Sequence, residues 1–143
     1  MLTPLTLKQV AEKTGITENT LKKFARLGLL DQVERDARRR LVFSEKDLEW
    51  LAFLKRLQLT GMPVHQMQYL AVLFQKGDGT IQERILLLEK HRQGVLERLA
   101  EMEQHLAYIE AKINYFAIFD ELNKSAPNNA SAHSKMRGDT AKH

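Results

Sequence analysis

Residues 6–30 read TLKQVAEKTGITENTLKKFARLGLL, and the spacing inside this stretch decides the fold. Thr6 followed three residues later by Gln9 has the form of a capping box, in which hydroxyl and amide satisfy the free N–H groups of a helix start. Val10 and Ala11 then supply an apolar face as far as Gly15, so a first helix is predicted over 7–14. Thr17 caps a second segment, 18–27, in which Leu21, Phe24 and Leu27 recur at helical spacing before Gly28 ends it. The small Ala11 sits where the helices cross. Gly15 comes four residues later at the turn, where a positive φ is cheap only for glycine, and Ile16, Leu21 and Phe24 close a small core. This is the spacing of a helix-turn-helix.

That packing leaves Thr17, Glu18, Asn19, Lys22 and Lys23 on the exposed start and outer face of the second helix, where a recognition helix meets the major groove. Asn19 is suited to a base edge and the lysines to phosphates. Two lysines alone read as a solvated helix face, but they do not stand alone. From Leu29 to Phe43 the periodicity disappears, and a charged run that ends in Arg38-Arg39-Arg40 lies between Leu29-Leu30 and Leu41-Val42-Phe43. A loop or small β-hairpin is expected there, a basic wing beside the recognition helix. Ser44 with Glu45 and Asp47 restarts a helix that buries Leu48, Leu51, Leu54 and Leu57 and stops at Thr60-Gly61. Pro63 opens another, with Val64, Met67, Leu70, Leu73 and Phe74 apolar, until Gly77-Asp78-Gly79 interrupts it.

Beyond the break the pattern changes in kind. Ile85, Leu88, Arg92, Val95, Leu99, Met102, Leu106, Ile109, Ile113 and Phe116 follow in alternating steps of three and four, five heptads with one charged intruder. A period of 3.5 held this long predicts a coiled coil, because an ordinary helix drifts off a strict seven-residue repeat. A helix of about 40 residues extends about 60 Å, so its stripe needs a partner, most simply a second copy; the alternative is that it folds back on the N-terminal helices. The basic g positions Arg84, His91, Arg98, His105 and Lys112 face an e edge holding Glu89, Glu103 and Glu110, a pattern that favours parallel strands. Exposed pairs contribute only about 0.2–1 kcal/mol each, so docking of whole domains outweighs them. His91 and His105 read as solvated rim residues. The expected organisation is a winged helix-turn-helix over 1–76, a dimerisation helix over 80–122 and a disordered tail over 123–143, rich in Asn, Ser, Ala and Lys.

Charge supports the same reading. Residues 1–60 hold 12 Lys+Arg against 8 Asp+Glu, while residues 61–143 balance at 10 against 10, so the whole net charge of +4 sits at the front. The absence of cysteine excludes disulfides, thiolate metal sites and thiol redox sensing. The five histidines contain no i, i+4 pair, and no metal or cofactor is expected. Met62, Met67 and the Leu70–Phe74 face could line a small apolar pocket, although such stripes usually form core. With no phosphate loop and no clustered nucleophile, base and acid, an enzyme is not expected. No leader pattern and no apolar run of about 18 residues is present, so a cytoplasmic protein without membrane contact is expected.

The chain resembles the MerR-type regulators from about Leu5 to Phe116. The resemblance is carried by Leu5-Thr6-Leu7-Lys8-Gln9-Val10-Ala11, Thr20-Leu21-Lys22, Gly28-Leu29-Leu30, Phe43-Ser44-Glu45-Lys46-Asp47-Leu48, Gly61-Met62-Pro63 and the run from Gly77 to Arg84. It implies a mainly α protein, a winged helix-turn-helix with a long C-terminal helix, dimerised as an antiparallel coiled coil. The implied partners are a pseudo-palindromic promoter operator in double-stranded DNA, a second copy, and RNA polymerase, which engages once the DNA is bent and untwisted. The implied seam comprises Ile85, Leu88, Val95, Leu99, Met102, Leu106, Ile109 and Ile113. Where the family carries an arginine, two tyrosines and a glutamate, this chain has Lys22, Lys23, Phe24 and Ala25, so phosphate contact falls to ammonium groups without a planar fork. Where it carries a Gly-Tyr-Arg string in the wing, Arg39, Arg40 and Leu41 stand. Two other readings keep the fold: a protein-interaction module similar to chaperone modulators, and a ligand-independent repressor.

Overall fold

The structure, a computed structural model, describes residues 4–125. Helix α1 spans Leu7–Thr14 and α2 spans Glu18–Arg26; a hairpin pairs β1, Glu34–Arg35, with β2, Leu41–Val42; α3, Glu45–Leu59, and α4, Val64–Lys76, follow. One 3-10 turn, Asp78–Thr80, leads into α5, Ile81–Ser125. By packing the chain divides into two units, Met1–Leu96 and Glu97–His143.

The predicted caps form. The Thr6 hydroxyl accepts the Gln9 N–H at 3.3 Å while the Gln9 amide oxygen accepts the Thr6 N–H at 2.9 Å, and Ser44 and Asp47 make the same reciprocal pair at the start of α3. Gly15 turns the chain at φ 72°. Lys55 of α3 then closes the end of α1, its ammonium donating to the Thr14 carbonyl at 3.2 Å, where unsatisfied carbonyls and the helix dipole favour a cation. Leu5 and Phe43 exchange two backbone hydrogen bonds of 2.9 Å, which ties the segment before α1 to the hairpin.

Val10, Ile16, Leu21, Phe24, Leu29, Phe43, Leu51, Leu54, Met67 and Leu70 fill one core, contributed by the four helices α1 to α4 and the segments between them. Trp50, absent from the expected Leu48-Leu51-Leu54-Leu57 stripe, is buried too, its indole N–H donating to the Leu29 carbonyl at 2.8 Å. Leu48 is only half-buried. Val64 and Phe74, expected on the apolar face of α4, stay 40% exposed because Met67, Leu70 and Leu73 already fill the interior.

Four expectations for the last helix change. Leu88, assigned to the coiled-coil seam, packs with Leu87 against the N-terminal core. His91, expected on a solvated rim, is half-buried with Nε2 2.8 Å from the Thr60 hydroxyl. Arg84, placed on the basic edge, turns back to carbonyls at the end of α4. Residues 123–125, expected in the tail, are helical: Lys124 pairs with Asp120 at 3.2 Å, and the Ser125 hydroxyl donates to the Glu121 carbonyl. The remainder of the expected tail, 126–143, lies outside the described residues. In the second unit Leu99, Met102, Leu106, Ile109 and Ile113 are all more than half exposed.

The turn at Gly15 yields a direct test. A β-carbon there meets both the positive φ and the Lys55 ammonium at 3.3 Å, so Gly15→Ala should lower the unfolding free energy by about 1–2 kcal/mol in urea titration. Gly15→Asn, which tolerates this conformation better, should lose less.

Candidate nucleic-acid interface

The interface is built on the start of α2. Thr17 caps the helix, its hydroxyl accepting the Thr20 N–H at 3.1 Å, so the residues that follow begin a rigid turn. Leu21 and Phe24 anchor the inner face, and Thr17, Glu18, Asn19, Lys22 and Lys23 are exposed on the other.

The wing is organised by Asp36. Its Oδ1 accepts the backbone N–H groups of Arg38 and Arg40, both at 2.9 Å, and its Oδ2 accepts the Arg40 guanidinium at 3.1 Å. The Asp36 N–H donates to the Arg40 carbonyl, and the Arg39 N–H to the Asp36 carbonyl. The turn sets Arg39 at φ 65°, a strained value for a side chain of this kind, and the Arg35 guanidinium supports it by donating to the Arg39 carbonyl at 2.7 Å. The Arg40 N–H, above all, holds the Asp36 carboxyl below its ordinary range, assisted by the Arg38 N–H and the Arg40 guanidinium and opposed by some desolvation.

The three arginines therefore divide in function. Arg40 belongs to the frame of the turn, whereas Arg38 and Arg39 are exposed and make no ion pair among the described residues. A groove between the start of α1, the outer face of α2 and the hairpin is lined by Lys8, Lys22, Arg26, Arg35, Asp36 and Arg40 with several apolar residues. The structure thus brings Lys22 and Arg40 to one groove and leaves Lys23, Arg38 and Arg39 outside its walls. Lys8, Arg26 and Arg35 were missed from sequence. Arg26 had a signal, since it lies one helical turn after Lys22 on the same face; Lys8 and Arg35 join only through the tertiary fold.

Met62, Met67, Leu70 and Leu73 are buried in the interior. A cavity of about 430 Å³ lies beside Trp50, Phe53 and Phe74. Among the described residues no group of three His, Asp or Glu side chains is placed to hold a metal ion, and no helix is long and apolar enough to cross a membrane.

Two helices joined through a left-handed glycine, followed by a basic hairpin, define a winged helix-turn-helix. The MerR HTH family regulatory protein family matches residues 5–71. An "uncharacterized HTH-type transcriptional regulator" of Haemophilus influenzae is 36% identical over 111 residues, 78% of this chain and 82% of its own length. The HTH-type transcriptional regulator AdhR of Bacillus subtilis is 30% identical over 65% of this chain and 66% of its own. Among solved structures, HiNmlR, a MerR family regulator lacking the sensor domain and bound to promoter DNA, superposes with a TM-score of 0.74 at 33% identity, covering 87% of this chain and 96% of its own. The chain belongs to the MerR family, a family of transcriptional regulators and not of enzymes.

The Asp36 frame carries a pH dependence. Because the folded carboxyl titrates below its ordinary value, its contribution to wing order is complete above that value and is lost as pH falls through the lowered one. The Arg38 and Arg40 amide resonances should therefore titrate together in NMR, with a midpoint below that of an ordinary aspartate. A midpoint at the ordinary value would show that the turn does not depend on this charge.

Proposed function

We propose that this regulator binds a pseudo-palindromic operator in double-stranded promoter DNA as a homodimer, in the cytoplasm, and deforms the DNA so that RNA polymerase can engage it. The observation that carries this reading is the groove in which Lys8, Lys22, Arg26, Arg35 and Arg40 converge, flanked by the exposed start of α2 and by Arg38 and Arg39. In this reading Asn19 contacts a base edge, Thr17 and Glu18 border it, and the cations neutralise phosphates. The HiNmlR complex with promoter DNA supports it from a related chain. The protein-interaction alternative calls for large apolar side chains on the recognition helix and wing, and among the described residues the exposed large hydrophobics begin only at Leu59.

Titration of the purified protein against a fragment of its own upstream region, with nonspecific competitor and rising salt, tests the reading. Selective binding that weakens steeply with salt is expected; no selection by a folded dimer would favour a protein partner. Replacing Arg38 and Arg39 by alanine should weaken binding to all sequences and reduce the salt slope by about 2, roughly one for each phosphate no longer neutralised. Arg40→Ala should additionally loosen the wing turn, which that side chain helps to close.

The dimer reading rests on α5. The a/d seam from Leu99 to Phe116 is exposed, and Tyr108, Ala111, Tyr115, Ile118 and Leu122 form a second stripe on roughly the opposite face, with both tyrosines, Ile118 and Leu122 at least half exposed. A parallel pair covers one stripe and leaves the other bare. An antiparallel partner would set its own N-terminal unit near the far end of the helix, where that unit could cover the second stripe. Against this, the e/g charge pattern favours the parallel arrangement only through weak exposed pairs. Leu99→Asp should give a monomer in sedimentation and abolish operator binding. In this cysteine-free chain Phe116→Cys should stay uncrosslinked within an oxidised dimer; a disulfide between copies would establish parallel helices.

A further inference from the structure

Arg84 lies outside the candidate DNA interface, yet near the root of α5 it is engaged by hydrogen bonds and by an aromatic ring. Its Nη2 donates to the Gly77 carbonyl at 2.7 Å and reaches the Leu73 carbonyl at 3.5 Å, and its Nε donates to the Thr80 hydroxyl at 3.0 Å. The guanidinium also lies over the Phe74 ring, 4.2 Å from the centroid. Leu73 and Gly77 offer carbonyls that α4 cannot satisfy internally at its C-terminus. The planar fork thus joins Thr80, whose hydroxyl also donates to the Leu73 and Gly77 carbonyls, in holding the end of α4, and it adds the contact with that helix's last aromatic ring.

From α4 two ties run to the exit of the recognition helix. Phe74 packs on Trp50 with ring centroids 4.8 Å apart, and the Trp50 indole donates to the Leu29 carbonyl at 2.8 Å. Gln68, half a helix away, donates its amide to the Leu27 carbonyl at 2.9 Å. Leu27 and Leu29 directly follow α2. Both carbonyls where the recognition helix ends are thus held by side chains whose position depends on α4.

We infer that Arg84 is a positioning residue for DNA recognition: by gripping α4 it sets where α2 lies against the wing, so that displacement of the root of α5 is felt at the recognition helix. The inference rests on the DNA-binding reading above, and its test is arranged to separate the two. Arg84→Met keeps an alkyl stem over Phe74 and removes the fork; Arg84→Lys keeps the charge. Arg84→Met should weaken binding to the selected operator fragment about tenfold, leave binding to random DNA at the same salt unchanged, and shift the emission of Trp50, the single tryptophan of the chain. Arg84→Lys should recover only part of the loss, because an ammonium does not reproduce the planar geometry; it carries the same comparison if Arg84→Met does not fold.

Combining Arg84→Met with Gln68→Met should cost less than the two separate losses together, since both act through α4. Additive losses, or equal losses on operator and random DNA, would overturn the inference. Without any DNA, hydrogen exchange of the Leu27 to Leu30 amides should accelerate in Arg84→Met; unchanged exchange with unchanged Trp50 emission would also overturn it. Accelerated exchange in a protein that selects no DNA would instead overturn the DNA-binding reading alone.

Discussion

Helices of 8 and 9 residues do not persist alone in water, and the recognition element of this protein consists of two such helices. Its shape is lent to it by α3. Leu51 and Leu54 are fully buried beneath the two helices, Lys55 closes the end of α1 through the Thr14 carbonyl, and Trp50 holds the Leu29 carbonyl beyond α2. The first tie satisfies a carbonyl that the short α1 leaves open, and the second a buried carbonyl in the turn after α2, where an unpaired buried acceptor costs about 1–3 kcal/mol. Apart from Thr17, whose hydroxyl caps the helix, the outer face of α2 is not needed for the core, which is why Glu18, Asn19, Lys22 and Lys23 can all be polar.

The local grammar of the chain was legible because it is local. The capping box at Thr6, the helix start at Ser44, the left-handed turn at Gly15 and the helix stop at Gly28 depend on residues within four positions of each other, and all stand in the structure. What was hidden depends on distance along the chain. Arg84, His91 and Leu88 were assigned by heptad position, but a heptad label describes a helix in isolation, and the first turns of α5 still lie against the N-terminal core. Trp50 falls between the leucines of α3 by periodicity and can be buried in the core because the Leu29 carbonyl, 21 residues earlier, accepts its indole N–H.

The same limit applies to the candidate site. A run of three arginines reads as one basic patch, yet the turn that presents them uses one for its own closure: Asp36 takes Arg40, and only Arg38 and Arg39 are left without an ion pair among the described residues. Conversely, Lys8 and Arg35 look ordinary in sequence and reach the groove only because the Leu5–Phe43 bridge draws the start of α1 beside the hairpin. A basic surface assembled from α1, α2 and the wing depends on that bridge as much as on its charges.

The loss of the tyrosine pair after Leu21 fits this arrangement. Phe24 occupies one of those positions and is almost wholly buried, so a hydroxyl there would meet the core instead of a phosphate, and its absence costs the interface nothing. Lys23 occupies the other and remains exposed, exchanging a fixed phenolic donor for a flexible charge. A flexible ammonium contributes attraction without register, and register must then come from groups whose backbone is fixed. On the proposed DNA-binding reading those groups are Asn19, behind the Thr17 cap, and the wing arginines on the Asp36 turn, so register falls to the rigidity of a cap and a hairpin.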